Sequence, residues 1–359
     1  MGCEKCYNCR YPKYCRACND CTMIQDCVGC QNCIACFGLR FKEHCFLNKQ
    51  YSPEEFKKIE NDYRELTHEK IASLKTKLKE LQKDLPHIWT HVYASENCTG
   101  DILSHSKNTH HAFNATNCED CKYMYFTPNT LHSHDCTYNA PQGPEFSYNM
   151  ISTTLLKDCM CNFLVWTGND IRYCIECHSS SNLFACTGMR HKHHCILNKQ
   201  YSPEEYEKLC ARIVEHMIHT GEWGEFFDKS ASPYAYNETI AYEYFPLTRE
   251  EALEKGWSWQ DEPPQEPKPQ NPQPGTIICE KSDRPFKLIP QEIQFYKRMG
   301  LPLPKLHHDE RHHIRMREFN PLNLWTQQCS KCHTEIQTNY SPDRPETIYC
   351  EKCYLAEVY

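Results

Sequence analysis

Two stretches of the chain say nearly the same thing: "CFGLRFKEHCFLNKQYSPEEF" from Cys36 to Phe56, and "CTGMRHKHHCILNKQYSPEEY" from Cys186 to Tyr206, 150 residues later. An echo of this length demands a duplicated folding unit, so whatever the first copy builds the second must build again. Each copy ends in a helix start. Ser52 and Ser202 are placed as N-caps, Pro53 and Pro203 at the first helical position, and Glu55 and Glu205 complete capping boxes. After the first copy, Phe56, Ile59, Tyr63, Leu66, Ile71, Leu74, Leu78 and Leu81 recur at three- and four-residue steps and predict a long helix. The helix after the second copy, near Glu204 to His219, is expected to be shorter.

Between these helices Cys98, Cys118, Cys136, Cys159, Cys177 and Cys195 follow one another at roughly 18 to 23 residues, the range of a parallel β-solenoid coil. An irregular α+β domain is the alternative. The expected fold is therefore α+β or mostly β: a duplicated module of β-solenoid-like coils followed by capped helices, plus a small C-terminal domain of zinc-ribbon type. In a chain of 359 residues the first repeat module spans 1–85 and the second 86–260, the latter ending in an aromatic extension with a capping box at Thr248 and Glu251 and a stop at Gly256. The segment "DEPPQEPKPQNPQPG", 261–275, is a proline-rich linker, and 276–359 is the zinc-binding domain.

Twenty-seven cysteines and 20 histidines call for a chemical or packing explanation. The first residues, "MGCEKCYNCRYPKYC", carry no apolar signal region, so a cytoplasmic setting with reduced thiols is expected, and the odd cysteine count fits disulfides poorly. No apolar run approaches about 18 residues, which predicts no membrane span. A net charge of −7 excludes a generic electrostatic grip on nucleic acid and leaves only a local basic face.

The strongest metal signal is "CSKC" at Cys329 and Cys332 with "CEKC" at Cys350 and Cys353. Two such knuckles, each offering sulfurs about 3.5 to 4 Å apart, make one tetrahedral four-thiolate Zn²⁺ site, closed and structural. A reduced dithiol pair without metal would leave this small region little core of its own. At the N-terminus, Cys27, Cys30, Cys33 and Cys36 have the spacing of iron–sulfur ligands. Between the copies, however, Cys30 meets Ser180 and Cys33 meets Leu183, which a packing position tolerates and a ligand does not, so an iron–sulfur cluster is not expected. "HDERH" at His308 to His312 places two histidines on one helical face but has Asp309 where a zincin has Glu, so a cationic patch with Arg311, Arg315 and Arg317 is the preferred reading. Arg40, Lys42, His44 and their counterparts Arg190, Lys192 and His194 precede a helix start and are candidate anion ligands, or else a solvated rim.

The region opening at Cys279 resembles zinc-binding treble-clef modules. The matching elements are Cys279, Phe286, Glu292, Phe295–Tyr296, "GLPLP" at Gly300 to Pro304, and Arg311. Ser282 stands where that pattern has a second cysteine, and His307 and Glu310 stand where it has the second pair. The resemblance thus implies either a Cys279, His307 and Glu310 metal site with an open fourth position or a clef in which packing has replaced metal. Taken whole, through "LNKQYSPEEY", "YNETIAYEYFPL" and "YSPDRPETIYCEKCYL", the chain resembles a group of cysteine-rich, internally duplicated proteins of candidate-phylum bacteria, a resemblance that implies no particular activity. The functional expectation is a non-enzymatic, zinc-stabilised binding or scaffold protein with a protein or nucleic-acid partner, since no catalytic triad, phosphate loop or dinucleotide fingerprint is visible. The alternative is a metal-dependent or iron–sulfur redox enzyme using the N-terminal thiols or the Cys279 region.

Overall fold

The computed structural model describes residues 2–139, 145–152, 154–261 and 275–358. The proline-rich 262–274 lies outside the described residues. Both halves of the duplication are parallel stacks followed by helices, an α+β arrangement.

The stacks follow a rule of three. Lys5, Asn8, Tyr11, Tyr14, Ala17 and Asp20 all have φ near +50°, and the residue after each turns inward: Cys6, Cys9, Pro12, Cys15, Cys18, Cys21. A left-handed residue at every third position bends the chain sharply, and four such bends close one turn. A residue therefore generally pairs with the one twelve further on, as in Gln31 with Glu43 and Cys33 with Cys45, or Tyr148 with Met160 in the second stack, where one coil is a residue shorter (Val92 with Leu103) and one two residues longer (His134 with Tyr148). Left-handed backbone costs most L-residues about 1 kcal/mol or more and favours Asn and Asp. Those residues recur here and join neighbouring coils: Asn8 donates to Asp20 at 2.6 Å, Asn108 to Asp120 at 2.8 Å and Asn117 to Asn129 at 2.8 Å. Where the position is aromatic, rings stack instead, Phe126 on Tyr138 at 4.7 Å and His111 on Tyr123 at 5.3 Å.

The expected coil of 18 to 23 residues is thus corrected to twelve. A step of 18, such as Cys159 to Cys177 to Cys195, is one and a half turns and joins opposite corners, so cysteine spacing alone misreads the period.

Inside the coil, cysteine acts as a small hydrogen-bonding side chain. The Cys18 thiol donates to the carbonyls of Arg16 and Cys27, both at 3.4 Å, and Thr109 makes the same two bonds to Lys107 and Cys118 at 3.0 and 3.1 Å. Ser133 likewise reaches the carbonyl of Leu131 at 2.8 Å. Small size and one donor explain why Cys, Ser and Thr exchange at these positions. Eight cysteines and one isoleucine make up the buried core of the first stack: Cys15, Cys18, Cys21, Cys27, Cys30, Cys33, Cys36 and Cys45 surround Ile24.

The repeated phrase is the end cap of each stack. Asn48 accepts from the Phe37 amide at 2.9 Å and donates to the Phe37 carbonyl at 2.8 Å, so its side chain replaces the backbone of a coil that is not there. Asn198 does the same for Thr187, at 2.9 Å in both directions. Ser52 and Ser202 then cap α1 (Pro53–Tyr63) and α3 (Pro203–Thr220) with the expected capping boxes, and Phe56 and Tyr206 seat the helices against the last coil. The single long helix expected after the first copy is instead two: α1 ends at Tyr63 and α2 (His68–Lys83) starts from the N-cap Thr67. The second copy's helix is longer than either, running on to Gly221 in the left-handed conformation.

The C-terminal region docks on this frame by adding Ile348–Tyr349 as a parallel partner to His87–Ile88. No helix among the described residues is long and apolar enough to cross a membrane.

Candidate metal centre

Cys329 and Cys332 lie on a turn that joins the antiparallel strands Trp325–Gln328 and Glu335–Thr338. The turn is closed by the Cys329 amide donating to Thr334 O and the His333 amide donating to Cys329 O, each at 2.9 Å, with His333 at φ 58°. Cys350 immediately precedes the helix Glu351–Val358, and Cys353 lies in its first turn. The Cys350 amide donates to Cys329 Sγ at 3.3 Å, and Cys332 and Cys350 Sγ are 3.7 Å apart. All four sulfurs fall within 4.8 Å of one another. Four Zn–S bonds of about 2.3 Å in a tetrahedron need sulfurs about 3.8 Å apart, so the donor set fits a metal ion of this kind.

Electrostatics point the same way. Hydrogen bonds from the Thr334 hydroxyl and amide lower the Cys332 thiol to about 6. Burial pushes Cys329 up, but amide donors from Cys332, Cys350 and Lys331 reverse this and hold it below its ordinary value. Burial and the neighbouring sulfurs push Cys353 up to about 12. Without a cation the four sulfurs cannot all ionise, whereas a bound dication allows every one to be a thiolate.

The Cys279 region is built on the same plan. Its strands are Thr276–Ile278 and Pro285–Lys287, and the turn is closed by Cys279 N donating to Arg284 O at 3.0 Å and Asp283 N to Cys279 O at 3.1 Å, with Asp283 at φ 55°. His307 precedes the helix His308–Met316 as Cys350 precedes its own, and Glu310 corresponds to Cys353. The side chains have other partners, however. Glu310 is ion-paired with Lys281, and the buried His307 accepts from the Asp309 amide at 3.3 Å. Among the described residues the close ligand-type group here is His307, His308 and Asp309, rather than Cys279, His307 and Glu310.

Other candidate residues are dispersed. His312 binds Glu243 at 3.0 Å and His308 binds Asp309 at 3.0 Å, so the two histidines of "HDERH" hold different carboxylates. Arg311 donates to Tyr296 Oη at 2.8 Å and to Glu292 at 3.4 Å, which turns it away from a basic patch with Arg315 and Arg317. Arg40 donates to the carbonyls of Asp26 and Leu39, while Lys42, Arg190 and Lys192 are exposed. His44 and His194 lie edge-on to Phe56 and Tyr206, at 5.5 and 5.6 Å. The helix starts beside them are already satisfied by their own capping boxes.

One polar cluster escaped sequence reasoning. His91, in the strand-poor link between the stacks, binds Asp26 of the first stack through Nε2 at 2.7 Å and Asp101 of the second through Nδ1 at 2.9 Å. Asn339, from the four-cysteine region, donates to Asp101 at 2.6 Å, and the Tyr14 ring stacks on the imidazole at 4.0 Å. Burial pushes His91 down, but the two carboxylates more than reverse this and raise it to about 10. A lone His among 20, with its carboxylates 65 and 10 residues away, leaves no sequence signal.

Compared with known proteins, the chain matches no family model, no curated protein and no solved structure.

Proposed function

We propose that the chain is a zinc-stabilised binding scaffold without catalytic activity of its own, in which two short β-solenoid modules are joined by a C-terminal domain of zinc-ribbon type and offer their faces to a protein partner in a reducing, cytoplasmic setting. The observation that carries this reading is the four-cysteine group, whose sulfurs lie within 4.8 Å of one another. When bound, Zn²⁺ supplies folding energy to a domain with little core of its own. The residues beside it then do the joining: Asn339 reaches Asp101, Thr338 reaches the Trp89 carbonyl at 2.6 Å, and Ile348 pairs with His87. A protein partner is favoured over nucleic acid because Arg311, at the centre of the His308 to Arg317 cluster, is already bound to Glu292 and Tyr296, and Arg40 is bound to the carbonyls of Asp26 and Leu39.

Elemental analysis of the purified protein tests this, with one zinc per chain expected. Chelation should lower the melting temperature and raise amide exchange at residues 87–91, where the C-terminal strand pairs. Iron with sulfide in place of zinc, or a metal-free protein of unchanged stability, would sink the reading.

A further inference from the structure

The repeat allows each face of the second copy to be compared with its counterpart 150 residues earlier. Thr187 corresponds to Phe37, Ile196 and Leu197 to Phe46 and Leu47, and Ile213 to Tyr63. In the first copy this face is covered. The chain breaks after α1, and α2 folds back so that Leu74 and Leu78, 0% and 8% exposed, join Phe37, Phe46 and Leu47 in one apolar cluster. In the second copy α3 runs straight through the equivalent of that break. What remains is an open apolar hollow of about 510 Å³, lined by Ala185, Thr187, Leu197, Ile213, Met217 and Phe227. Leu197 is 73% exposed, whereas its counterpart Leu47 is half-buried.

We infer that this hollow is the docking groove for an amphipathic helix of a partner protein, lying against α3 as α2 lies against α1. The first copy specifies the occupant: a helix with apolar residues at the spacing of Ile71, Leu74, Leu78 and Leu81. Thr187 in place of Phe37 leaves additional room, so the incoming helix carries a larger apolar side chain at that point than α2 does. The chain's own helix of this pattern is already engaged, with Leu74 fully buried at home. The sequence of 262–274, EPPQEPKPQNPQP, holds no large apolar residue and so lacks the pattern the groove calls for. The inference rests on the scaffold reading and names the class of partner.

The test uses the intact zinc-loaded protein and, as probe, a fluorescein-labelled peptide of residues 66–85, the sequence that fits the first face. Fluorescence anisotropy should show saturable binding, weakened at least about tenfold in Leu197→Glu, which replaces an exposed side chain and leaves the circular dichroism spectrum unchanged. No saturation up to about 1 mM peptide, or equal binding by Leu197→Glu, would overturn the groove. If light scattering shows a dimer that Leu197→Glu converts to monomer, the occupant is a second copy and the partner helix is wrong. Binding that appears only after deletion of 262–274 would assign the groove to the chain itself. Zinc content measured on the same sample separates the two levels: full zinc without peptide binding removes the groove alone, whereas absent zinc removes the scaffold reading beneath it.

Discussion

The two copies share a cap and differ in what covers it. Both end a parallel stack with an asparagine that imitates backbone, Asn48 on Phe37 and Asn198 on Thr187, and both seat a capped helix against the last coil. The first copy then spends 16 more residues on α2 and buries its apolar face, whereas the second extends α3 and leaves Leu197 and Ile218 largely exposed. Duplication therefore conserved what ends a stack, which is a backbone problem, and released what lies on its flank, which is a side-chain problem with many solutions.

The sharpest way to break the comparison is to cut what joins the copies. His91→Leu leaves the Asp26 and Asp101 carboxylates, 2% and 4% exposed, without their shared cation. Stripping one partner from a buried charge group costs about 3–5 kcal/mol, which chemical denaturation will read directly. The wild-type protein should show a matching pH dependence. His91 ordinarily titrates at 6.5 and is raised to about 10, so its contribution is complete below pH 6.5 and is lost as pH climbs through about 10. Burial pushes Asp26 and Asp101 up, but the imidazolium between them overrides this and holds both below the ordinary 3.8. Their contribution is therefore complete above that value and is lost as pH falls through the lowered one. Stability should form a plateau between these limits, and His91→Leu should flatten both edges; an unchanged pH profile in the variant would show that the cluster does not join the modules.

Next in size is the flank. Leu74→Ala opens a cavity under α2 and should cost about 3 kcal/mol, whereas Ile213→Ala, on the rim of an open groove, should cost about 1 kcal/mol or less. Equal losses at the two sites would mean that the second face is as well covered as the first. The caps should differ in the same sense but less. Asn48→Ala strips partners from the backbone of the buried Phe37 and should cost about 2 kcal/mol, while Asn198→Ala exposes the backbone of a solvent-facing Thr187, which water can serve, for about 1 kcal/mol. Thermal denaturation of the pair gives the order.

How much of this was legible in the sequence follows from which interactions are local. The capping boxes, the two cysteine pairs at Cys329 and Cys350 and the duplication are written in neighbouring residues, and each could be placed by spacing, although only the first pair lies on a turn and the second opens a helix. The three-residue period was hidden because its inward position accepts Cys, Ser, Thr, Met, Val, Ile or Leu, so cysteine alone samples it irregularly. The break at Thr67 was missed because apolar spacing runs unbroken through it; what decides is the return of α2 onto Phe37 and Phe46, a contact between distant segments. The Asp26–His91–Asp101 cluster and the Lys281–Glu310 pair in the Cys279 region are equally non-local, and no motif announces them.

The smallest predicted effect discriminates most sharply between packing and chemistry. Cys30 and Ser180 are counterparts, and their side chains make corresponding bonds: Cys30 Sγ to Val28 O at 3.5 Å, Ser180 Oγ to His178 O at 2.9 Å. If the first stack's cysteines serve only as small internal donors, Cys30→Ser makes the first copy locally like the second and should cost less than about 1 kcal/mol, the hydroxyl replacing the thiol at the same carbonyl. If instead Cys30 ligates a metal with Cys27, Cys33 or Cys36, the same single-atom change removes a ligand and should cost metal as well as stability. Anaerobic metal analysis beside the melting curve therefore decides. Unchanged zinc content and a shift of no more than a few degrees place Cys30 with Ser180, whereas loss of a second equivalent of metal would separate the two copies in chemistry as well as in cover.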